Sequence, residues 1–483
     1  MVAIIFLFLG VFLLYKLPTE GLKKYDLLLG WGIKLLFGFV FMVVYSKYYG
    51  LGAMTVDWEE FIHDSIEVRN VAHVSVFDYW RIMIGLDNQH DVLQYFQNTN
   101  HWSAGDLTLL NDSRNVLRVN SLIVFFSGGN LWVHIMVFSL LSLIGFRDLF
   151  LGLKQHVRSS NRWLWYGLIA LPSIGFWSTT ILKEPLMLVG FCLLLRVAFG
   201  GLTKKQVVWR LVFGTLLMIC FKPYVLLCFL GVFLLMIIGY RKFKIRLTYS
   251  FPIGLILAIV FLYFVPIAQQ KVVHHLTRKQ FDFINVGKGG THLLADSCYY
   301  LVLGYNNKSL ELRNGDSVGV NRPLVVKRIS LGMSYPFDDV LLKPTDGPWP
   351  VAFVGDSCGS FIDLTPINNS YGQLLKNIPE AFVNGAFRPF FGDPGGNLKY
   401  LNILETLVLF GVFFYSIFRY WKYQTEEHQQ LILFLVFFSC LLFILIGWIT
   451  PVLGAIARYR VPAYLAVFIA SIIGSKKSIL KHE

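Results

Sequence analysis

The sequence predicts an all-α polytopic membrane protein of about eleven transmembrane helices, carrying a small mixed α/β extracytoplasmic domain. Three observations predict it. Of 483 residues, 55% are hydrophobic and 15% charged, at a mean hydropathy of +0.58, whereas soluble domains carry about 25% charged residues. The apolar residues gather into runs of membrane-spanning length. Lys and Arg recur in alternate loops between those runs. Six Cys in this length exclude a disulfide scaffold. The lack of low-complexity tracts and short-period repeats excludes disorder and solenoids.

In chain order, the expected spans are 2–15, 28–47, 129–146, 163–178, 185–199, 206–221, 223–240, 247–267, 398–418, 430–449 and 458–474. The first starts Met-Val-Ala-Ile-Ile, without a basic n-region or a small-residue cleavage site, so a cleaved signal peptide is not expected. Six alternate loops hold the basic residues. They contain Lys16, Lys23 and Lys24; Arg147, Lys154, Arg158 and Arg162; Lys204, Lys205 and Arg210; Arg241, Lys242, Lys244 and Arg246; Arg419 and Lys422; and Lys476, Lys477 and Lys481. The positive-inside rule makes that side cytoplasmic, with the N-terminus outside and the C-terminus inside. The net charge of +14 thus reads as topology. No lysine- or arginine-rich run points to a nucleic-acid partner.

The expected organisation is a transmembrane domain over 1–267 with an outer loop at 48–128, an outer domain at 268–397, and C-terminal transmembrane helices at 398–483. Turn signals (Asn306-Asn307, Asn314-Gly315-Asp316, Asp346-Gly347, Pro394-Gly395-Gly396) and strand-like runs at Pro323–Leu331 and Val351–Val354 mark the outer domain as partly β. Cys298 and Cys358 are the two Cys outside the apolar spans. They read either as a disulfide or as two thiols.

Polar residues on the outer side concentrate the chemistry. Asp57, Glu60 and Asp64 fall at helical spacing just after a span, so one helix face carries three carboxylates at the membrane surface. A carboxylate there suits a general base, or caps a helix. Arg114 and Arg118 are four apart, a spacing that suits a phosphate or carboxylate, or neutralises Asp112 and Asp106. In Phe176-Trp177-Ser178-Thr179-Thr180-Ile181-Leu182-Lys183-Glu184-Pro185, a helix starts outward at Lys183, and its amides plus the ammonium form an anion site. The alternative is a snorkelling Lys paired with Glu184. Lys222 precedes Pro223 at a similar outer turn, Arg388 lies in Phe-Arg-Pro-Phe, and Glu405 is an intramembrane carboxylate. Arg458 and Arg460 sit on the non-cytoplasmic side, against the positive-inside bias, which an outward phosphate partner would explain. Walker, H-E-x-x-H and G-x-S-x-G sequences are absent, and the His residues show no metal-ligand spacing.

This layout resembles the GT-C class of polytopic glycosyltransferases. The resemblance rests on an acidic residue in the first outer loop (Asp57), the Phe-Trp-Ser…Lys-Glu loop from Phe176 to Glu184, the Arg-Tyr-Arg-Val-Pro turn from Arg458 to Pro462, and a large late outer domain. It departs in the first loop, where Gly52-Ala53-Met54-Thr55 stands in place of a Gly-Asp pair, so the base lies between Asp57 and Asp64. The resemblance implies a bacterial inner-membrane enzyme of cell-envelope polysaccharide synthesis. It would move a sugar from a polyprenyl-phosphate donor to an unknown acceptor by one inverting displacement. Lys183, Arg388, Arg458 and Arg460 would hold the donor phosphate, with Glu60, Arg114, Arg118, Glu184, Lys222 and Glu405 in support. The class admits a divalent cation, and no dedicated ligand set is visible in the sequence. Two other classes stand beside it. A lipid-linked-substrate transporter wants polar residues from broken helices at the midplane, and a non-catalytic scaffold of an envelope assembly explains the outer domain.

Overall fold

A computed structural model of the chain describes residues 1–19, 21–49, 56–87, 92, 94–96, 99, 111–157, 161–295, 298–314, 317–330, 337–354 and 358–475. The chain is mostly helical and forms two compact units. The first comprises Met1–Lys244, Val412–Val436 and Tyr464–Glu483, the second Ile245–Gly411 and Phe437–Ala463.

The count of eleven spans is not confirmed. Among the described residues, six helices are long and apolar enough to cross a membrane: Lys24–Tyr49, Leu131–Leu153, Pro223–Lys242, Leu247–Phe264, Leu398–Tyr423 and Glu426–Ile449. A seventh span results if Leu453–Tyr459 and Val461–Gly474, bent by 53° at their junction, are taken together. The other four expected spans are helical but fall short for separate reasons. Helix Val2–Lys16 has 15 residues, about 22 Å of rise against a hydrocarbon core of about 30 Å. The run 163–178 splits before Pro172 into Asn161–Ala170 and Pro172–Trp177, because the residue preceding a proline leaves the helical region. Helix Lys183–Ala198 has 16 residues, nearly all buried by protein. Helix Lys204–Phe221 carries Lys204, Lys205 and Arg210 in its first two turns. Apolar periodicity does not separate a helix solvated by lipid from one buried in protein.

Local signals set the helix starts of the first unit. Asp26 caps Lys24–Val43, its Oδ2 accepting from Lys23 N at 2.8 Å, a favourable place for a negative charge. Asn111 and Asn130 cap Asp112–Ser127 and Leu131–Leu153 through their side-chain oxygens. Helix Asp112–Ser127 then ends on Gly128 in the left-handed region, φ +60°. Helices Lys183–Ala198 and Lys204–Phe221 cross at Gly190 and Gly214, where a Cβ on Gly190 would lie 2.9 Å from Gly214 O. Only hydrogen fits at that crossing.

Among the described residues of the first unit, five of the six basic loops are joined to one another. Arg147 Nε donates to Pro18 O at 2.9 Å, and Arg162 lies 3.4 Å from Asp26. Arg210 clasps Asp148 through two hydrogen bonds of 2.8 and 2.6 Å, and Gln155 Nε2 donates to Phe199 O at 2.9 Å. Arg241 donates to Ala198 O at 2.6 Å, the rings of His156 and His428 lie 5.6 Å apart, and Gln424 Nε2 reaches Gly474 O at 3.3 Å. Residues 476–483, with the last three Lys of the pattern, lie outside the described residues.

In the second unit, the expected mixed α/β domain contains a seven-stranded sheet that is antiparallel throughout. Its strands are β1 (Thr291–Ala295), β2 (Cys298–Val302), β3 (Leu310–Asn314), β4 (Ser317–Val320), β5 (Leu324–Ser330), β6 (Phe337–Leu342) and β7 (Trp349–Val354), in the order β3-β4-β7-β1-β2-β5-β6. One face packs Leu293, Val302, Val320, Leu324, Val326 and Leu342. On the other, Leu301 and Ile329 lie under Phe281 of helix Pro266–Gly287. The expected strands Pro323–Leu331 and Val351–Val354 correspond to β5 and to part of β7. Cys298 and Cys358 are free thiols, and Cys358 Sγ lies 3.3 Å from Ser360 Oγ. Helices Ile378–Phe387 and Glu426–Ile449 touch backbone to backbone at Gly385 and Gly447, where added Cβ atoms would meet Phe443 O and Ala381 O.

Candidate functional site

Charged side chains of the first unit converge where helix Asp112–Ser127 starts. Its first two turns carry Asp112, Arg114, Asn115 and Arg118. Arg118 Nη2 donates to Asp87 Oδ2 at 2.9 Å, and Arg114 Nη1 lies 3.5 Å from the same oxygen. Arg114, Arg118 and Asp87 are all buried. Arg118 also donates to Ile82 O at 2.7 Å and to Asn115 Oδ1 at 2.6 Å, and Asn115 Nδ2 donates to Cys220 O at 2.9 Å. Two residues on, Lys222 Nζ lies 3.6 Å from Glu184 Oε1, with both side chains buried. Next to Glu184, Lys183 Nζ donates to Asp112 Oδ1 at 2.7 Å. The path therefore closes on the helix where it began.

Burial differs around this ring. Lys183 and Asp112 keep 15% and 34% of their side-chain surface, whereas Arg114 and Asp87 keep none. Burial draws the Arg118 guanidinium below its ordinary value, Asp87 opposes that shift and Arg114 adds to it. Helix Lys183–Ala198 starts after Leu182 without a side-chain cap, so its first amides share an edge with the Lys183 ammonium.

The carboxylates of the first outer loop lie on helix Val56–Val74. The backbone of Asp57 is in its first turn, and the Asp57 side chain lies outside the described residues. Glu60 is half-buried. Asp64 is fully buried and pairs with His63 Nδ1 at 3.1 Å. Beside it, Asn120 Nδ2 donates to Ser65 Oγ at 3.1 Å, and His134 bridges Asn120 and Ser127. Asp106, the other expected neutraliser of the arginines, lies outside the described residues.

The remaining expected cations belong to the second unit. Arg460 is fully buried and donates to Ala386 O and Thr406 Oγ1 at 3.2 Å each, to Arg388 O and to Asn402 Oδ1. It braces the turn after helix Ile378–Phe387 against helix Leu398–Tyr420. Arg388 donates to Asn384 Oδ1 at 2.8 Å and pairs with Asp393 at 2.5 Å. Arg458 and Glu405 are half-buried. Among the described residues, no group of three or more His, Cys, Asp or Glu is placed to hold a metal ion.

Asp87 and Asn115 complete the ring and are not legible as site residues in the sequence. Lys34 was also missed. It is fully buried within span Lys24–Tyr49, donates to Ser178 Oγ at 2.6 Å, and lies 4.5 Å from the Phe146 ring centroid. Its signal was available, since a lone lysine inside an apolar span is a functional candidate.

Comparison with protein-family models, with curated proteins and with solved structures returns no match.

Proposed function

We propose that this chain is an integral-membrane glycosyltransferase of the bacterial inner membrane. It would move a sugar from a polyprenyl-phosphate donor to an acceptor on the extracytoplasmic face, in cell-envelope glycan synthesis. The observation that carries this reading is the Lys183–Asp112 pair, partly open at the edge of an otherwise buried ring of charge. An anionic phosphate entering there replaces the Asp112 carboxylate on the Lys183 ammonium and meets the positive end of the helix Lys183–Ala198 dipole. Behind it, Arg114 and Arg118 on Asp87, and Lys222 on Glu184, hold the helix ends that carry Lys183 and Asp112.

In the displacement, the acceptor oxygen bonds the anomeric carbon while the bond from that carbon to the phosphate oxygen breaks. The acceptor proton goes to a carboxylate, and the polyprenyl phosphate leaves with its charge on Lys183. The complete burial of Asp64 disfavours it as the group that meets an acceptor, and Asp57, two helical turns earlier, takes the role. The reading rests on the first unit alone, and Arg388, Arg458 and Arg460 belong to the second. A non-catalytic scaffold is the second reading, favoured by Arg460, whose Nη1 and Nη2 donate to the chain's own carbonyl and side-chain oxygens.

Donor binding and turnover test the proposal. Lys183→Ala should weaken binding of a polyprenyl-phosphate sugar about ten- to a hundredfold, from roughly 1.5–3 kcal/mol for a charge-assisted bond. Asp57→Asn should keep donor binding and cut turnover by about 10²–10⁴-fold. Wild-type donor binding in Lys183→Ala, or unchanged turnover in Asp57→Asn, would favour the scaffold.

A further inference from the structure

We propose that helix Pro266–Gly287 is a docking surface for the phosphate headgroups of anionic phospholipid. The argument starts from the span before it. Only 6% of the residues of helix Leu247–Phe264 are buried, which leaves most of its apolar side chains to be solvated by lipid. Val265, at φ −115° and ψ 83°, leaves the helical region ahead of Pro266, and the next helix starts at once. Its first turn therefore stands where the hydrocarbon ends. Tyr371 Oη donates to Ile259 O at 2.8 Å, which ties the neighbouring helix Tyr371–Lys376 to the same span.

The rotation of helix Pro266–Gly287 is fixed from one side. Gln280 Nε2 donates to Thr365 O and Trp448 O at 3.1 and 2.8 Å, and Thr277 Oγ1 accepts from Asn369 N at 3.1 Å. Val273 packs on Ile367 and Leu374. The opposite side exposes Ile267 (70%), Val272 (40%), Lys271 and His275, with Arg278 and Lys279 half-buried beside them. Three cations face one carboxylate along the whole helix, Asp282, which lies 3.8 Å from Lys279.

Apolar residues at the membrane-proximal end and cations farther along are the pattern of a helix at a lipid surface. Lys271 is five residues beyond Pro266, about 7.5 Å of rise, which is within a Debye length of the headgroups. Lys279 is eight residues farther, so the positive stripe runs from the boundary along the exposed side.

The full-length protein in neutral detergent, titrated with phosphatidylglycerol or phosphatidylcholine and read by native mass spectrometry, tests this without reference to enzymatic activity. Phosphatidylglycerol should be retained over phosphatidylcholine. Lys271→Gln/Arg278→Gln/Lys279→Gln should lower that retention by at least about fivefold, most of it carried by Lys271, the cation nearest the boundary. Lys271→Arg/Lys279→Arg should keep it, and Lys308→Gln/Lys343→Gln, on other exposed lysines of the same unit, should leave it unchanged. If the triple variant folds poorly, Lys271→Gln alone, at an exposed position, should still show about a fivefold loss. Equal retention of the two lipids, or no loss in the variants, would overturn the proposal. Displacement by inorganic phosphate but not by chloride at equal ionic strength would assign the patch to free phosphate and overturn it as well.

Discussion

Asp87→Asn is the sharpest perturbation of the charged ring. Asp87 is fully buried and accepts from Arg118 at 2.9 Å, with Arg114 3.5 Å from the same oxygen. The substitution keeps the shape and removes the negative charge, leaving two buried guanidinium groups without it. Breaking a buried ion pair from one side costs about 3–5 kcal/mol. A typical domain is stable by about 5–15 kcal/mol, so the loss is large. Thermal unfolding in detergent with a thiol-reactive fluorophore reads it directly, because Cys192 of the same unit is buried until the helices separate. Arg118→Met in the Asp87→Asn background should restore part of the loss, since it removes one of the stranded charges. A shift below about 0.5 kcal/mol, the range of an exposed substitution, would refute the ring as a desolvated structure.

Three further outcomes follow from the packing. Gly447→Ala should destabilise the second unit by about 1–3 kcal/mol, since its methyl meets Ala381 O across the helix crossing, while Gly411→Ala, with open space around it, should be near neutral; unfolding midpoints compare the two. Arg460→Met should lower stability by about 2–4 kcal/mol by stranding the carbonyls of Ala386 and Arg388, and Arg460→Lys should recover part of it; loss of donor binding with stability kept would assign Arg460 to the phosphate instead. Burial pushes His292 on β1 down to about 4. Its neutral form is the one the fold accepts, so its contribution is fully present above the unfolded value of about 6.5 and is lost as pH falls toward 4, by at most roughly 3 kcal/mol. His292→Gln should flatten that part of the stability–pH profile.

The helices were legible where apolar runs were long and their caps explicit, as at Asp26, Asn111 and Asn130. Which of them cross the membrane was not. Helix Lys183–Ala198 reads as a span because leucines fill it, yet protein surrounds it. Hydropathy reports that a residue avoids water and does not report what replaces the water. The same limit separates the site residues. Lys183, Glu184 and Lys222 stood out because each interrupts a turn between apolar runs, and the structure brings them together with Arg114 and Arg118. Asp87 was silent, since its pairing with Arg118 spans 31 positions and leaves no local pattern.

The ring's graded burial decides where a ligand could enter it. The Lys183–Asp112 pair is partly open to solvent, unlike the Asp87 pairs, so it is the edge at which another anion could replace a carboxylate. The Asp87 pairs are desolvated on both sides, and no anion reaches them without opening the helices. Exchange at the rim and rigidity behind it are different physical tasks, with Lys222 on Glu184 buried behind the rim beside the arginines. Lysine, a flexible point charge, stands at the rim, whereas the buried positions on helix Asp112–Ser127 use arginine, whose planar fork holds Asp87, Asn115 and Ile82 O together. Burying an ion pair costs desolvation that its attraction often fails to recover, so the 15% and 34% exposure of the Lys183–Asp112 edge fits either proposed reading. Lys183 is the residue whose substitution separates the proposed transferase from the scaffold.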